Sequence, residues 1–121
     1  MDISAALVAL APEAEWSMNA ENYDQLEWFS ADIPKPTLAE VNAKVAELKA
    51  AEPMRLLRIE RDRLLAETDW VITMHKEKGT NIPAAWKTYR QALRDLPDNS
   101  TPVLDNTTIL GISGVTWPTK P

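Results

Sequence analysis

Proline placement constrains the fold of this chain more than any other feature of its sequence. Nine prolines occur in 121 residues, and a proline inside a helix removes a backbone donor and clashes with the preceding turn. Pro12 follows the first apolar run, and the "DIPKP" stretch is typical of a linker. Pro83 suits the first turn of a helix, and Pro97 is expected to end that helix. Pro53 either kinks one long helix or separates two, and the sequence leaves both alternatives open.

The first 33 residues predict a small module of one helix and one hairpin. "DISAALVAL" has apolar residues at helical spacing before Pro12. The two runs "EAEWSM" and "YDQLEWFS" then place alternate apolar residues on one side, and "NAEN" between them has turn chemistry. We therefore expect a short helix followed by a β-hairpin with one apolar face.

Central helices are predicted over about 37–51, 54–75 and 82–96. Thr37 and Glu40 have capping-box spacing at the start of the first. Its apolar stripe consists of Leu38, Val41, Val45 and Leu48. The third helix has the clearest apolar face, formed by Ile82, Trp86, Tyr89, Leu93 and Leu96. Short β-prone runs at 102–104 and 107–112 predict a C-terminal hairpin and an extended tail. The expected fold class is α+β, with a module over 1–33 and a helical module with a docked tail over 37–121.

The helix predicted over 54–75 has an unusual apolar face. Arg61 and Thr68 lie in the middle of it, whereas Leu56 and Ile59 point elsewhere. Arg61 is explained by a snorkelling side chain or by pairing with a nearby carboxylate. The more specific interpretation is that Leu56 and Ile59 contact a partner chain.

Composition argues against several classes of function. The formal net charge of −5 disfavours nucleic-acid binding, although the Arg55–Arg63 stretch leaves an RNA-binding regulator as a third hypothesis. The chain has no cysteine and one histidine, His75, so neither a thiolate site nor a His-rich metal site is expected. No apolar run reaches the length of about 20 residues that spans a bilayer. "MDISAALVALAP" lacks a basic leader, which predicts a cytoplasmic protein without a membrane partner.

No catalytic motif is apparent. With three glycines and no phosphate-loop or nucleophile-elbow pattern, no phosphate-binding loop is expected. Glu60, Asp62 and Glu67 are interpreted as a solvated, salt-bridged helix face rather than as catalytic carboxylates. The sequence therefore predicts a protein that is not an enzyme and that uses no cofactor.

Three ordered motifs closely resemble the phage tail (fibre) assembly chaperone family. They are "RLLRIERDRLLAETDWVIT", "AAWKTYRQALRDLPDN" and "GVTWPTKP". The motif residues that we expect to be structural are Arg58, Arg61, Asp62, Thr68, Asp69, Trp86, Tyr89, Arg90, Asp95, Trp117 and Pro118. The chain departs from the family pattern at 71–80 and at 101–113. The N-terminal part, with "ALAPEAEW", "YDQLEW" and "PKPTLAEV", resembles phage fibre-associated proteins more loosely.

The resemblance implies a non-enzymatic factor that binds the distal, C-terminal part of a trimeric tail-fibre protein and assists its folding and trimerisation. It places the chain in the cytoplasm of the host bacterium during assembly, with retention on the virion fibre as an open alternative. A permanent structural subunit of the fibre or baseplate is the main alternative function, and self-association is left open.

Two expectations concern particular side chains. The candidate partner contacts are Leu38, Val41, Val45, Leu48, Leu56, Ile59 and Trp70. Arg61, Asp62, Asp69, Arg90 and Asp95 are alternatively an internal polar network that orients the helix pair. Trp117, although near the end of the sequence, is expected to dock against the Trp86/Tyr89 helix or the Trp70 region.

Overall fold

The computed structural model describes residues 2–121 and has the α+β architecture expected from the sequence. The elements are α1 (Ile3–Leu10), β1 (Trp16–Ser17), a 3-10 turn (Tyr23–Gln25), β2 (Glu27–Trp28), α2 (Leu38–Lys78), α3 (Ala84–Asn99), β3 (Val103–Leu104) and β4 (Ile112–Ser113). The chain divides into two compact units, unit 1 (Met1–Ala51) and unit 2 (Glu52–Pro121). Each unit is described by itself below.

Unit 1 builds its core from α1, the first hairpin and the beginning of α2. The Asp2 carboxylate caps α1 by accepting a 2.8 Å hydrogen bond from the Ala5 N–H. The antiparallel strands β1 and β2 pair Trp16 with Trp28, which confirms the predicted hairpin. The buried residues at the centre of this core are Ala6, Leu7, Leu26 and Val41.

The proline-rich linker is tied to unit 1 by aromatic side chains. Tyr23 donates its hydroxyl to the Pro36 carbonyl at 2.6 Å, and the ammonium of Lys35 lies 5.1 Å from the centre of the Tyr23 ring. The indole N–H of Trp28 donates to the carbonyls of Ser30 and Ile33 at 2.9 and 2.8 Å. The indole therefore satisfies two carbonyls in a stretch that has little regular secondary structure.

Helix α2 continues through Pro53, which resolves the alternatives that the sequence left open. The segments predicted as helical over 37–51 and 54–75 both belong to this one helix. Pro53 removes one backbone hydrogen bond, but strong helix formers flank it and the ion pair between Glu52 and Arg55 (2.6 Å) spans it. Thr37 accepts a 3.1 Å hydrogen bond from the Glu40 N–H, as expected at the capped start.

The core of unit 2 lies between α2, α3 and the second hairpin. Its buried residues are Leu57, Tyr89, Leu93, Leu96 and Ile112. The predicted C-terminal hairpin is present, with antiparallel β3 and β4 pairing Val103 with Ser113 and Leu104 with Ile112. The prediction that Pro97 ends the third helix is wrong, because α3 continues to Asn99. Burial of Leu96 holds this last turn in place, so that losing one hydrogen-bond donor does not end the helix.

No helix among residues 2–121 is both long enough and apolar enough to cross a membrane.

Candidate partner-binding surface

A polar clamp joins α2 to α3 inside unit 2. One terminal nitrogen of Arg90 donates to the Leu65 carbonyl at 2.8 Å and to the Thr68 hydroxyl at 2.7 Å. The other donates to the Asp69 carboxylate, also at 2.8 Å. Because Arg90 reaches from α3 to a backbone carbonyl and two side chains of α2, it fixes the spacing and rotation of the two helices.

Thr68 explains the polar interruption of the apolar face of α2. Its side chain is fully buried, and its hydroxyl lies 3.2 Å from the carbonyls of both Leu64 and Leu65. The hydroxyl donates toward this pair and accepts from Arg90, so it is satisfied in the interior. Arg61, the other polar residue on that face, is mostly buried and pairs with the neighbouring Asp62 at 2.9 Å.

The C-terminal segment packs Trp117 against the core of unit 2. Val115 and Trp117 contact the core cluster that contains Tyr89, Leu93 and Leu96 of α3. Thr116 and Pro118, which alternate with them along the extended chain, line shallow depressions beside α3. The segment is thus two-sided, with its apolar side chains turned into the core.

Aromatic contact and an ion pair complete this region. The rings of Trp86 and Tyr89 meet edge to face, with 6.2 Å between their centroids. The ammonium of Lys120 lies 2.8 Å from the Glu67 carboxylate of α2, across 53 positions of sequence. The Trp117 segment is therefore anchored to both helices.

Charged side chains on the outer face of α2 neutralise one another. Arg63 binds Glu60 at 2.6 Å and Glu67 at 3.1 Å. The hydrogen bond from Arg63 lowers the pKa of the Glu60 carboxyl, and the hydrogen bond from Lys120 lowers that of Glu67. The three carboxylates that we interpreted as a salt-bridged face, Glu60, Asp62 and Glu67, are all ion-paired.

The structure separates the candidate partner contacts into accessible and buried residues. Val41 is fully buried in the core of unit 1, so its side chain is not available to a partner. The half-buried candidates are Val45, Leu48 and Leu56. The accessible ones are Leu38, Ile59 and Trp70, with exposed fractions of 45%, 53% and 58%.

Ile59 and Trp70 share one face of α2. They are eleven residues apart, which is three helical turns, so their side chains point within about 20° of each other and lie about 16 Å apart along the axis. Between them on this face lie Ala66 and Arg63, whose charge is balanced by two glutamates. We call Ile59, Arg63, Ala66 and Trp70 the outer α2 face.

Other motif residues lie at the surface of unit 2. Arg58 is exposed and makes no ion pair with any residue of 2–121. Asp95 accepts a 2.9 Å hydrogen bond from the Gln91 amide, so it does not join the Arg90 clamp. His75 contacts the Thr80 hydroxyl at 2.8 Å. Among the described residues, no group of acidic, histidine or cysteine side chains has an arrangement that could hold a metal ion.

Sequence reasoning missed the exposed side chains of the second hairpin. They are Val103, Leu104, Ile109 and Leu110. The prediction of a strand was correct for Val103 and Leu104, which lie in β3, but wrong for Ile109 and Leu110, which lie in the loop before β4. It also did not show that these side chains face solvent. A signal was present in the low charge of this stretch, since 101–113 contains a single ionisable residue, Asp105.

A comparison with protein families matches residues 54–121 to the model described as phage tail assembly chaperone protein. The matched part covers more than half of the chain and lies within unit 2. It contains the Arg90 clamp, the outer α2 face and the docked Trp117. No curated protein and no solved structure matches the chain.

Proposed function

The chain belongs to the phage tail assembly chaperone family, and we propose that it binds the distal, C-terminal part of a tail-fibre protein and assists its folding and trimerisation. Trimeric fibre ends need many contacts between distant parts of the sequence and between chains. Such topologies fold slowly and expose apolar surface and strand edges on the way. A small protein that covers this surface assists assembly by binding alone, without catalysis.

The observation that carries this proposal is the exposure of Ile59 and Trp70 on the outer α2 face. Both lie in the part of the chain that matches the family model. Tryptophan is enriched among the residues that dominate binding energy at protein interfaces. Because the Arg90 clamp and the core contacts hold α2 from its other side, the face is preorganised for a partner.

Coexpression in bacteria tests the proposal. The tail-fibre protein of the same phage is produced alone, with this chain, and with the Ile59→Ser/Trp70→Ala double variant. We expect the chain to raise the yield of soluble fibre trimer. The double variant loses most of this gain, because truncating a central interface tryptophan costs about 2 kcal/mol or more, roughly a 30-fold weaker affinity.

Unit 1 provides matched controls. Phe29 and Val8 are exposed to 59% and 55%, close to the values for Trp70 and Ile59, and they lie outside the matched residues. The Val8→Ser/Phe29→Ala double variant should therefore keep the full gain in trimer. Equal trimer yields with and without the unmodified chain would refute the proposal.

Purified virions separate a chaperone that leaves from a permanent subunit of the fibre or baseplate. We propose release after assembly in the host cytoplasm, so mass spectrometry of virions should find the chain well below the amount of fibre protein. A stoichiometric amount would instead identify a structural subunit.

A further inference from the structure

The second hairpin of unit 2 exposes an unusual density of apolar side chains. Four large ones lie within eight residues: Val103, Leu104, Ile109 and Leu110, with Ile109 completely exposed. Asp105 is the only ionisable residue in 101–113, whereas charged residues make up 26% of the whole chain. We call these four side chains the hairpin surface. Val103 and Leu104 are neighbours in β3 and lie on its opposite faces, so both faces of the hairpin carry exposed apolar side chains without charge, a feature of interaction sites.

The loop that carries Ile109 is held in one conformation by local hydrogen bonds. The Asp105 carboxylate accepts from the N–H of Thr107 at 3.0 Å and from its hydroxyl at 2.5 Å. The Asp105 N–H donates to the Gly111 carbonyl at 2.9 Å. Gly111 has a φ of 79°, a conformation that favours glycine. Binding through Ile109 therefore loses little conformational entropy of the loop.

One edge of the hairpin is open and the other is partly closed. Antiparallel pairs alternate between hydrogen-bonded and non-bonded. The Asp105 N–H is hydrogen-bonded to the Gly111 carbonyl, so the next pair, Leu104 and Ile112, is a non-hydrogen-bonded pair. The backbone N–H and carbonyl of each of these two residues therefore point away from the opposite strand. On the β4 edge, the Ile112 carbonyl accepts from the Thr108 hydroxyl at 2.8 Å. On the β3 edge, the Leu104 N–H and carbonyl have no partner among residues 2–121.

The hairpin also rests on α2 close to Ile59. A Cβ at Gly111 would lie 3.6 Å from the Leu56 side chain, so the base of the hairpin rests on α2 at this residue. Leu56 is one helical turn from Ile59 and therefore lies beside it on the surface of the helix. The base of the hairpin therefore lies within one helical turn of Ile59, which belongs to the outer α2 face.

We propose that the hairpin surface binds an extended, apolar strand of the tail protein, which pairs with the open edge of β3 as a third strand. This inference rests on the proposed function. The exposed donor and acceptor of Leu104 fit an extended backbone, as in peptide recognition by strand addition. The uncharged side chains around them fit an apolar strand. An incompletely folded fibre offers such unpaired strands, and the chaperone would cover them until they find their own partners.

Hydrogen–deuterium exchange gives the direct test, with the tail-fibre protein of the same phage as the probe. We expect the Leu104 amide to exchange at least about tenfold more slowly when the fibre protein is bound, because it becomes hydrogen-bonded. If the fibre protein contacted only side chains, exchange of the Leu104 amide would stay fast.

Variants of the hairpin test the same proposal by function. The concentration of chain that gives half of the maximal trimer yield should rise about tenfold for Ile109→Ser. This concentration should rise further for Leu104→Pro than for Leu104→Ala, because only proline removes the backbone N–H at position 104 that faces the open edge of β3. Val8→Ser in unit 1 is the control, because Val8 is as exposed as Leu104 (55% against 54%), and it should leave this concentration unchanged. Each variant is compared at equal helicity and equal thermal unfolding.

The outcomes distinguish the two proposals. If the unmodified chain produces no gain in fibre trimer, the proposed function fails. If it does, but the Leu104 amide stays fast and the hairpin variants are fully active, strand addition is wrong and the proposed function stands. Self-association is the remaining outcome. If the chain self-associates, and if Ile109→Ser abolishes this association but keeps the full yield of fibre trimer, then a second copy of the chain occupies the β3 edge. This result also overturns the proposal.

Discussion

Units 1 and 2 each have a small apolar core, but they use charged residues in different ways. Unit 1 has nine carboxylates against three lysines, a net charge of −6, and unit 2 has nine against ten lysines and arginines, a net charge of +1. Among residues 2–121, unit 1 contains one ion pair and unit 2 contains six. Four of the pairs in unit 2 lie within α2, and two connect different elements, Arg90 with Asp69 and Lys120 with Glu67. Among the described residues of unit 1, most carboxylates make no ion pair.

The two units differ less in the amount of apolar surface that they expose than in its arrangement. Unit 1 exposes Val8, Phe29 and Leu38, one from each of three separate segments. Unit 2 exposes two residues on a single helix face and four in one hairpin. Exposure alone is therefore weak evidence for binding, since single exposed apolar residues are normal. Variants matched between the units test whether arrangement is what matters.

The largest expected effect is the loss of a core leucine in either unit. Leu57 in unit 2 and Leu7 in unit 1 are both fully buried. Truncating either one to alanine should lower the free energy of unfolding by about 2–5 kcal/mol, through lost burial and the cavity left behind. Hydrogen exchange should show faster exchange in 52–121 for Leu57→Ala and in 1–51 for Leu7→Ala. If both variants accelerate exchange equally in both units, the two cores unfold together, and the units are not independent in stability.

Within unit 2, two tryptophans should separate stability from binding. Trp117→Ala removes a ring that packs against the core and should cost about 1–3 kcal/mol in chemical denaturation. Trp70→Ala removes an exposed ring and should change stability by less than about 0.5 kcal/mol, while reducing the gain in fibre trimer. A large loss of stability from Trp70→Ala would show that its ring is structural.

An effect of similar size to that of Trp117→Ala is expected from the Arg90 clamp. Arg90→Met leaves the Thr68 hydroxyl and the Leu65 carbonyl with fewer partners, and we expect a loss of about 1–3 kcal/mol in urea unfolding. Arg94→Met is the control, because Arg94 is exposed and bonds only the neighbouring Gln91 amide among residues 2–121. Equal stability of the two variants would show that the clamp does not hold the helices together.

The smallest effect concerns pH. The pKa of the Glu67 carboxyl is lowered from 4.5, chiefly by the hydrogen bond from Lys120 and by its charge. A lowered pKa in the folded state stabilises the protein above about pH 4.5, and this contribution is lost as the pH falls through the folded value. Glu67→Gln should therefore be less stable than the unmodified chain at pH 6, and the difference should shrink toward pH 3.

Glu77→Gln is the control for the pH measurement. Glu77 is exposed and makes no ion pair among residues 2–121. Its substitution should leave the pH dependence of thermal unfolding unchanged. If Glu67→Gln and Glu77→Gln behave alike, the link between Lys120 and Glu67 does not contribute to stability in solution.

Local patterns predicted the elements well, because local rules decide them. The capping box at Thr37, the apolar face of α3 and the alternation around Trp16 and Trp28 each lead to the observed element. The effect of the two prolines inside helices was harder to predict. Helix formers and the Glu52–Arg55 ion pair offset the lost hydrogen bond at Pro53, and burial of Leu96 does so at Pro97, whereas the rule for a single proline includes neither.

The candidate site was only partly predictable from the sequence. The off-face position of Ile59 could be read from a helical wheel, but an internal partner was expected for Arg61 rather than for Thr68, whose buried hydroxyl has one in the structure. That this partner is Arg90, and that Lys120 meets Glu67 across 53 positions, depends on tertiary contacts. The exposure of Ile109 likewise depends on how the hairpin lies on unit 2.

The docked Trp117 has a consequence for the synthesis of the chain on the ribosome. The core of unit 1 uses residues only as far as Val45, so it can close early. Leu57 packs with Ile112 and Trp117, the latter made roughly sixty residues later. At about 5–20 residues per second, that interval is about 3–12 s. During this time the apolar face of α2 around Leu57 is without part of its cover, because α3 is made earlier than Ile112 and Trp117. This assembly factor therefore itself passes through a stage in which apolar surface of its own is exposed.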